Sequence, residues 1–313
     1  MLKRHILKRI LISTAALFAI FVIYLIPNNN DIYVSLDIKD DFKKEYVYLL
    51  NDNNLLGRAS VYVTSENTND LISELIDVLI IDGKKESSIP NGFRSILPSD
   101  TLLNGVIIDG NKAKLDFNFH LLDISEYLEM PMIESILYTI TEIPSIDSIE
   151  ISIDGVPLTK LPKSNINIPK VIDRDFGINK IYNITSLSGI TKVVEYYVAK
   201  YNNNHYYVPV TKYINDSKDK IKIIIEDMVS SNLYEQSLMS YINSNTKLVN
   251  STIEDDTMKL FFNNSIMNFD DNDILEEVIE TISLSVKDNY DVSNLVFYVD
   301  DKEFYKSVIK SIE

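Results

Sequence analysis

The sequence predicts an α+β protein built twice over. It reads as two tandem β-β-α-β-β-α-β domains, each a mixed or antiparallel sheet with two helices on one face, behind an N-terminal transmembrane helix. Three observations carry that prediction. Short runs of alternating apolar and polar residues recur with amphipathic helical stretches between them. The order of these runs repeats in the second half of the chain. A basic, acid-free tail precedes one long uncharged apolar run.

That tail, MLKRHILKR, holds Lys3, Arg4, Lys8 and Arg9. ILISTAALFAIFVIYLI follows at residues 10–26, near the lower limit for crossing about 30 Å of hydrocarbon. A cleaved signal peptide has the same charged start and apolar core. However, Tyr24-Leu25-Ile26-Pro27-Asn28 offers no small-x-small cleavage pattern. Residues 1–27 are therefore expected to be a cytoplasmic tail and an uncleaved single-pass anchor in the cell membrane, with everything after them extracytoplasmic. Residues 28–43 are polar and acidic and read as a stalk.

The first domain is expected over 44–157. EYVYLLN (45–51) and GRASVYVT (57–64) alternate as strands. In NDLISELIDVLIID, Leu71, Ile72, Leu75, Ile76, Leu79 and Ile80 fall at helical spacing, with Asn69 as the expected cap. TLLNGVII and KAKLDF form a hairpin around Asp109-Gly110-Asn111. A second helix is expected over about 131–143, with Pro131 tolerated in its first turn, and SIEISIDG closes the unit.

The second domain, 190–313, repeats that order. KVVEYYVAKY and HYYVPVTKY pair across Asn202-Asn203-Asn204, and KDKIKIIIEDMVSS is the helix. TKLVNSTIE and TMKLFF form the second hairpin, NDILEEVIETISLSVK the long helix and NLVFYVDD the last strand. Asp109 to Phe117 overlays Glu254 to Phe262 at an offset of 145, and Ile151–Asp154 overlays Phe297–Asp300 at 146. Two nearly equal offsets point to duplication. Between the copies, Pro157, Pro162 and Pro169 make residues 158–189 an expected stiff, extended linker.

The runs LPSDTLLNGVIIDGNKAKLDFNF and YTITEIPSIDSIEISIDG resemble the sporulation and germination module called the GerMN domain. FGINKIYNITSLSG followed by YYVPVTKYI resembles the start of the second such domain in GerM-type proteins. The resemblance covers about 45–300 and is weaker in the second copy, where Asp300-Asp301 replaces Asp154-Gly155. It implies an extracytoplasmic protein of endospore formers. Its implied partners are the extracytoplasmic sporulation proteins of the mother cell–forespore channel. Family members are typically lipoproteins, whereas this chain has no cysteine to carry a lipid.

Composition narrows the chemistry. The chain has 30 basic and 46 acidic residues in 313, for a net charge of −16. Four of the bases and none of the acids precede the apolar run, so the remainder is more acidic still. Such a surface repels nucleic acid. The absence of cysteine excludes disulfides and thiol catalysis. No phosphate-binding glycine loop or nucleophile elbow occurs, so no catalytic residue, cofactor or metal ligand is assigned. His120 stands near Asp116 and Asp123 but lacks metal-ligand spacing. Asp270, Asp271 and Asp273 lack the glycine and glutamate of a calcium loop and suit helix capping instead. Tyr197, Tyr206 and Tyr207, on the hairpin 192–213, are the expected partner-binding anchors of a scaffold or adaptor. Two alternatives remain. One is a peptidoglycan-acting module using Asp116 and Glu142, or a peptidoglycan-binding one. The other is a sensor of a small ligand between the two domains.

Overall fold

The computed structural model describes residue 14 and residues 42–202, 204–230, 237–268 and 273–309. Apart from Thr14, the expected anchor over 10–26 lies outside the described residues, as does most of the stalk, and among the described residues no helix is long and apolar enough to cross a membrane. In chain order the elements are β1 (Lys43–Asn51), β2 (Leu56–Val63), α1 (Thr68–Leu79), β3 (Phe93–Arg94), β4 (Leu103–Asp109), β5 (Lys112–Phe117), α2 (Glu129–Ile140), β6 (Ser148–Ile153), β7 (Val156–Pro157), β8 (Ile172–Asp173) and β9 (Ile181–Asn183). The second repeat adds β10 (Thr191–Tyr201), β11 (Asn204–Ile214), α3 (Lys220–Ser230), β12 (Leu248–Glu254), β13 (Thr257–Phe262), α4 (Glu276–Asn289), β14 (Asn294–Val299) and β15 (Lys302–Val308).

The fold is mixed α+β, but the strands of each repeat are not gathered into one sheet. β4 and β5 pair with each other and continue through β6 and β7, with β8 also on β6. β12 to β15 form the matching sheet of the second repeat. The two opening hairpins, β1–β2 and β10–β11, instead join in one six-stranded sheet ordered β10-β11-β2-β1-β3, with β9 on β11. The hairpins meet edge to edge, β11 against β2, at Tyr207↔Arg58.

The duplication extends to fine detail. β5 and β6 run parallel from Lys112↔Ser148 to Phe117↔Ile153, and β13 and β14 from Thr257↔Asn294 to Phe262↔Val299. Both edge strands carry a register shift at the same place, between Leu103 and Gly105 and between Leu248 and Asn250. Asn118 accepts from the Leu102 N–H and donates to the Asp100 carbonyl. Asn263 makes the equivalent bonds to Lys247 and Asn245. Local chemistry sets the turns: Gly110 adopts a φ of 64° that an L side chain rarely takes.

Several expectations shift. Asn67, not Asn69, caps α1, accepting from the Asp70 N–H. Leu275 precedes α4 with no side-chain cap, although Glu276 and Glu277 in the first turn complement the dipole. Asp273 accepts from the Ile274 N–H, while Asp270 and Asp271 lie outside the described residues. Within the expected linker 158–189, residues 158–178 are packed on the body and not extended away from it. Leu158, Leu161, Ile168, Ile172 and Ile178 join the core of the first repeat. Burying five apolar side chains outweighs the stiffness of the prolines, at roughly 1.5–3 kcal/mol for each fully buried side chain.

Candidate functional site at the junction of the two repeats

β1 and β10 are equivalent strands, and each has an edge facing a helix. The helices satisfy those edges with short side chains. The Tyr48 N–H donates to Thr139 Oγ1 at 3.0 Å and its carbonyl accepts from Ser135 at 2.6 Å. The Tyr196 N–H donates to Ser285 Oγ at 2.9 Å, and Asn289 brackets Val194 in the same way. Burial of Ser135, Thr139 and Ser285 at 0% exposure is thus accounted for by backbone pairing.

This placement brings the rings of Tyr48 and Tyr196 to the seam, with their hydroxyls 3.1 Å apart. Each also reaches a carboxylate of its own repeat: Tyr48 to Glu142 at 2.7 Å and Tyr196 to Asp288 at 2.8 Å. Arg174, from the packed segment between the repeats, spans both acids. Its Nη1 lies 2.5 Å from Asp288 and its Nη2 3.1 Å from Glu142, while Nε donates to Thr141 Oγ1. Arg58 reaches Glu142 at 3.4 Å and lies over the Tyr46 ring at 3.3 Å. Lys287 of α4 crosses to Glu142 at 2.9 Å.

The electrostatics follow from this wiring. Burial alone would push the Glu142 carboxyl up, but Arg174, Arg58 and Lys287 outweigh it and hold it well below the usual range. Burial raises both tyrosines well above their ordinary value, so each hydroxyl keeps its proton. A carboxylate held ionised by three cations is a poor general base or acid. The cluster is a joint.

A second stitch lies where the shared sheet crosses from one repeat to the other. There β2 and β11 meet at a single pair, Tyr207↔Arg58. Asn179 fills the gap, accepting from the Leu56 N–H and donating to the Leu56 and Pro209 carbonyls at 2.8 and 2.7 Å. Beside the cluster opens a cavity of about 510 Å³, bounded by Glu142, Arg174, Lys287 and Asp288 and by Asp147, Asp173, Tyr290 and Ile309.

The residues singled out in the sequence fall as follows. Tyr197 is buried at 1% exposure and donates to Glu195, so it is not a surface anchor; β10 is covered on both faces. Tyr206 is half-buried and meets Phe93 edge-to-face at 4.6 Å. Tyr207 is half-buried at the crossing pair. Tyr206 and Tyr207 join the second repeat to the first, whereas Tyr197 packs inside the second. Asp116 accepts from the Gly155 N–H on the first repeat's own sheet and takes no part in the wall around Glu142, so the two carboxylates do not converge. His120 pairs with Asp123 at 2.7 Å, and no group of metal-ligating side chains occurs among the described residues. Arg174, Arg58, Asn179 and Asp288 were not singled out. One signal did exist for Asp288, which stands 146 residues after Glu142.

Two repeats sharing one sheet, each with a β-α-β half of its own, define a duplicated α+β fold. The family model Germane, described as sporulation and spore germination, matches residues 46–159. The spore germination protein GerM of Bacillus subtilis (strain 168) is 30% identical over 185 residues, which cover 58% of this chain and 50% of that one. The chain thus spans about half the length of that relative. The solved tandem GerMN domains of the sporulation protein GerM from Bacillus subtilis superpose with a TM-score of 0.77 at 26% identity, over 85% of this chain and 96% of that one. The chain is thus similar in sequence and in fold to the GerM-type sporulation and germination proteins.

Proposed function

We propose that the chain is a scaffold or adaptor of sporulation or germination, and not an enzyme. On this reading the N-terminal apolar segment holds it at the membrane, and its repeats dock to an extracytoplasmic, transenvelope complex. The observation that carries the reading is what the junction leaves free. The wired seam fixes the repeats as one body. Among the described residues, β4, β12 and β15 each end a sheet with no strand beyond them. Ile107, Val249 and Val308 on those edges are 64%, 68% and 67% exposed. Such edges accept a strand from a partner. The outer sheet faces also differ between the copies. Asp116 and Ser152 of the first correspond to Phe261 and Tyr298 of the second, which stack at 4.6 Å.

The test is to place lysine at Ile107 and Val249 in the full chain and follow it in sporulating cells. The expected result is loss from the envelope complex and defective spores, with an unchanged melting temperature. An Asp116→Asn chain should be silent. If Asp116→Asn alone abolishes function in a folded protein, the scaffold reading fails. The cavity at the junction favours a second reading, a sensor of a small ligand. A rise in melting temperature with soluble peptidoglycan fragments, lost on Asp147→Asn, would select it.

A further inference from the structure

The core of the second repeat holds charged side chains that the fold does not require. Glu195 on β10 is 0% exposed, and Lys212 on β11 reaches it at 2.8 Å. Counting from the paired tyrosines, the equivalent positions of the first repeat hold Val47 and Val61, both buried. A valine pair fills that space without desolvating any charge. A carboxylate and an ammonium in the same place carry a desolvation penalty, and Glu195 Oε1 has no hydrogen-bond partner among the described residues.

Lys212 is shared between two acids. Its Nζ also lies 2.9 Å from Asp227 Oδ2 on α3 and 3.0 Å from the Tyr197 hydroxyl. The two carboxyl groups differ in setting: the Glu195 side chain is closed off from solvent, whereas that of Asp227 is 36% exposed. The charged and titratable groups acting on Glu195 are Lys212 from β11, Asp227 from α3 and Tyr197 from its own strand. One ammonium between two carboxylates leaves an excess negative charge, which a single proton removes. That proton belongs on Glu195, because water solvates an ionised Asp227 and does not reach an ionised Glu195.

We propose that Lys212 is a pH-dependent latch between β11 and α3, closed on Asp227 while Glu195 is protonated and drawn inward when Glu195 ionises. With Glu195 neutral, Asp227 is the one anion beside the ammonium, and the pair ties strand to helix. With Glu195 ionised, the stronger attraction lies on the buried side, where no water screens it, and Asp227 is left to solvent. Burial pushes the Glu195 carboxyl up to about 8 against the opposing pull of Lys212, so the latch opens on the alkaline side of neutrality. Burial also opposes the charge on Lys212, but Glu195 and Asp227 outweigh it and keep the side chain an ammonium. The linked effect on stability has a definite sign. A carboxyl raised in the folded state contributes stability that is fully present below its ordinary value of 4.5 and lost as pH rises through about 8.

The experiment is hydrogen exchange of the purified full-length chain, read on the last turn of α3 and corrected for the pH dependence of chemical exchange. Infrared spectra follow the buried carboxyl in parallel. A protonated-carboxyl band that is missing from Glu195→Gln is expected at about pH 6.5 and should be gone by about pH 9.5. Over that interval the last turn of α3 should lose about two- to fivefold in protection, the worth of a partly exposed ion pair. Glu195→Gln should keep its protection at both pH values, and Asp227→Asn should lack it at both. A chain carrying Glu195→Val with Lys212→Val, which restores the pair of the first repeat, should show neither the band nor the pH effect, and it decides the matter where Glu195→Gln does not fold. Equal protection of the wild-type chain at the two pH values, or no such band at the lower one, overturns the proposal. A loss of protection that persists in the double-valine chain belongs to another group and overturns it as well.

Discussion

The hydroxyls of Tyr48 and Tyr196 meet at 3.1 Å across the junction, and each tyrosine stands at the same place in its own repeat. Glu142 and Asp288, which they contact, are likewise equivalent. A duplicated element has therefore been folded against its copy, so that one side chain of each touches its counterpart. Arg174 breaks the correspondence, since it comes from the segment between the repeats and serves both acids, and Arg58 and Lys287 break it by reaching Glu142.

Arg174→Met is expected to destabilise the chain by about 3–5 kcal/mol, because it leaves two buried carboxylates facing one another without their shared cation. Denaturant unfolding of the full chain measures this. A loss below about 1 kcal/mol would mean that Lys287 and Arg58 suffice.

Because the repeats share a sheet and a buried joint, the body from residue 42 onward should melt in one transition by calorimetry. A fragment ending at residue 157 gives up Leu158, Leu161, Ile168, Ile172 and Ile178 and should be less stable than one ending at residue 183. Two well-separated transitions in the full chain would show that the seam is weaker than its contacts suggest.

Acid should act through buried carboxylates. Glu74 is opposed by burial but accepts from Lys85, Ser65 and Thr64, which bring it down to about 2. Glu142 is lowered as well. A depressed carboxyl contributes stability that is present above its unfolded value and lost as pH falls through the folded one. Stability should therefore drop from about pH 4.5 towards pH 2. Glu74→Gln should flatten that slope and lower the stability at pH 7 by about 3 kcal/mol. An unchanged slope refutes the assignment.

The sequence made local geometry legible and long-range partnership much less so. The β4–β5 hairpin was readable because Gly110 and the flanking alternation act within a few residues. The offset of about 145 residues revealed the duplication because the same local constraints were written twice. Which tyrosines face outward was not readable. Val193, Val194, Tyr196 and Tyr197 are all buried, so β10 has no polar face for alternation to mark. Arg174 and Asn179 lie in a stretch without periodicity, and their partners are remote in sequence.

Asn179→Gly separates backbone from side chain at the crossing point. Asn179 has a φ of 47°, which glycine adopts freely, so the substitution keeps the backbone and removes only the side-chain bonds to Leu56 and Pro209. A loss of about 2 kcal/mol is expected from three buried backbone groups left unpaired. Asn179→Ala should cost more, since it adds backbone strain. Equal losses in the two variants, measured by urea unfolding, would put the effect in the side chain alone.

The paired tyrosines allow the joint itself to be weighed. Two hydroxyl protons serve three contacts: Tyr48 to Glu142, Tyr196 to Asp288, and hydroxyl to hydroxyl. Tyr48→Phe and Tyr196→Phe each remove one carboxylate contact together with the shared one. The double variant loses the shared contact only once. If the shared contact is a true hydrogen bond, the double variant should cost about 1 kcal/mol less than the sum of the singles. If the two oxygens merely crowd, each single substitution relieves that crowding, and the double variant costs more than the sum. The sign of the coupling in a double-mutant cycle on unfolding free energies thus decides whether the two repeats are bonded at this point or only pressed together.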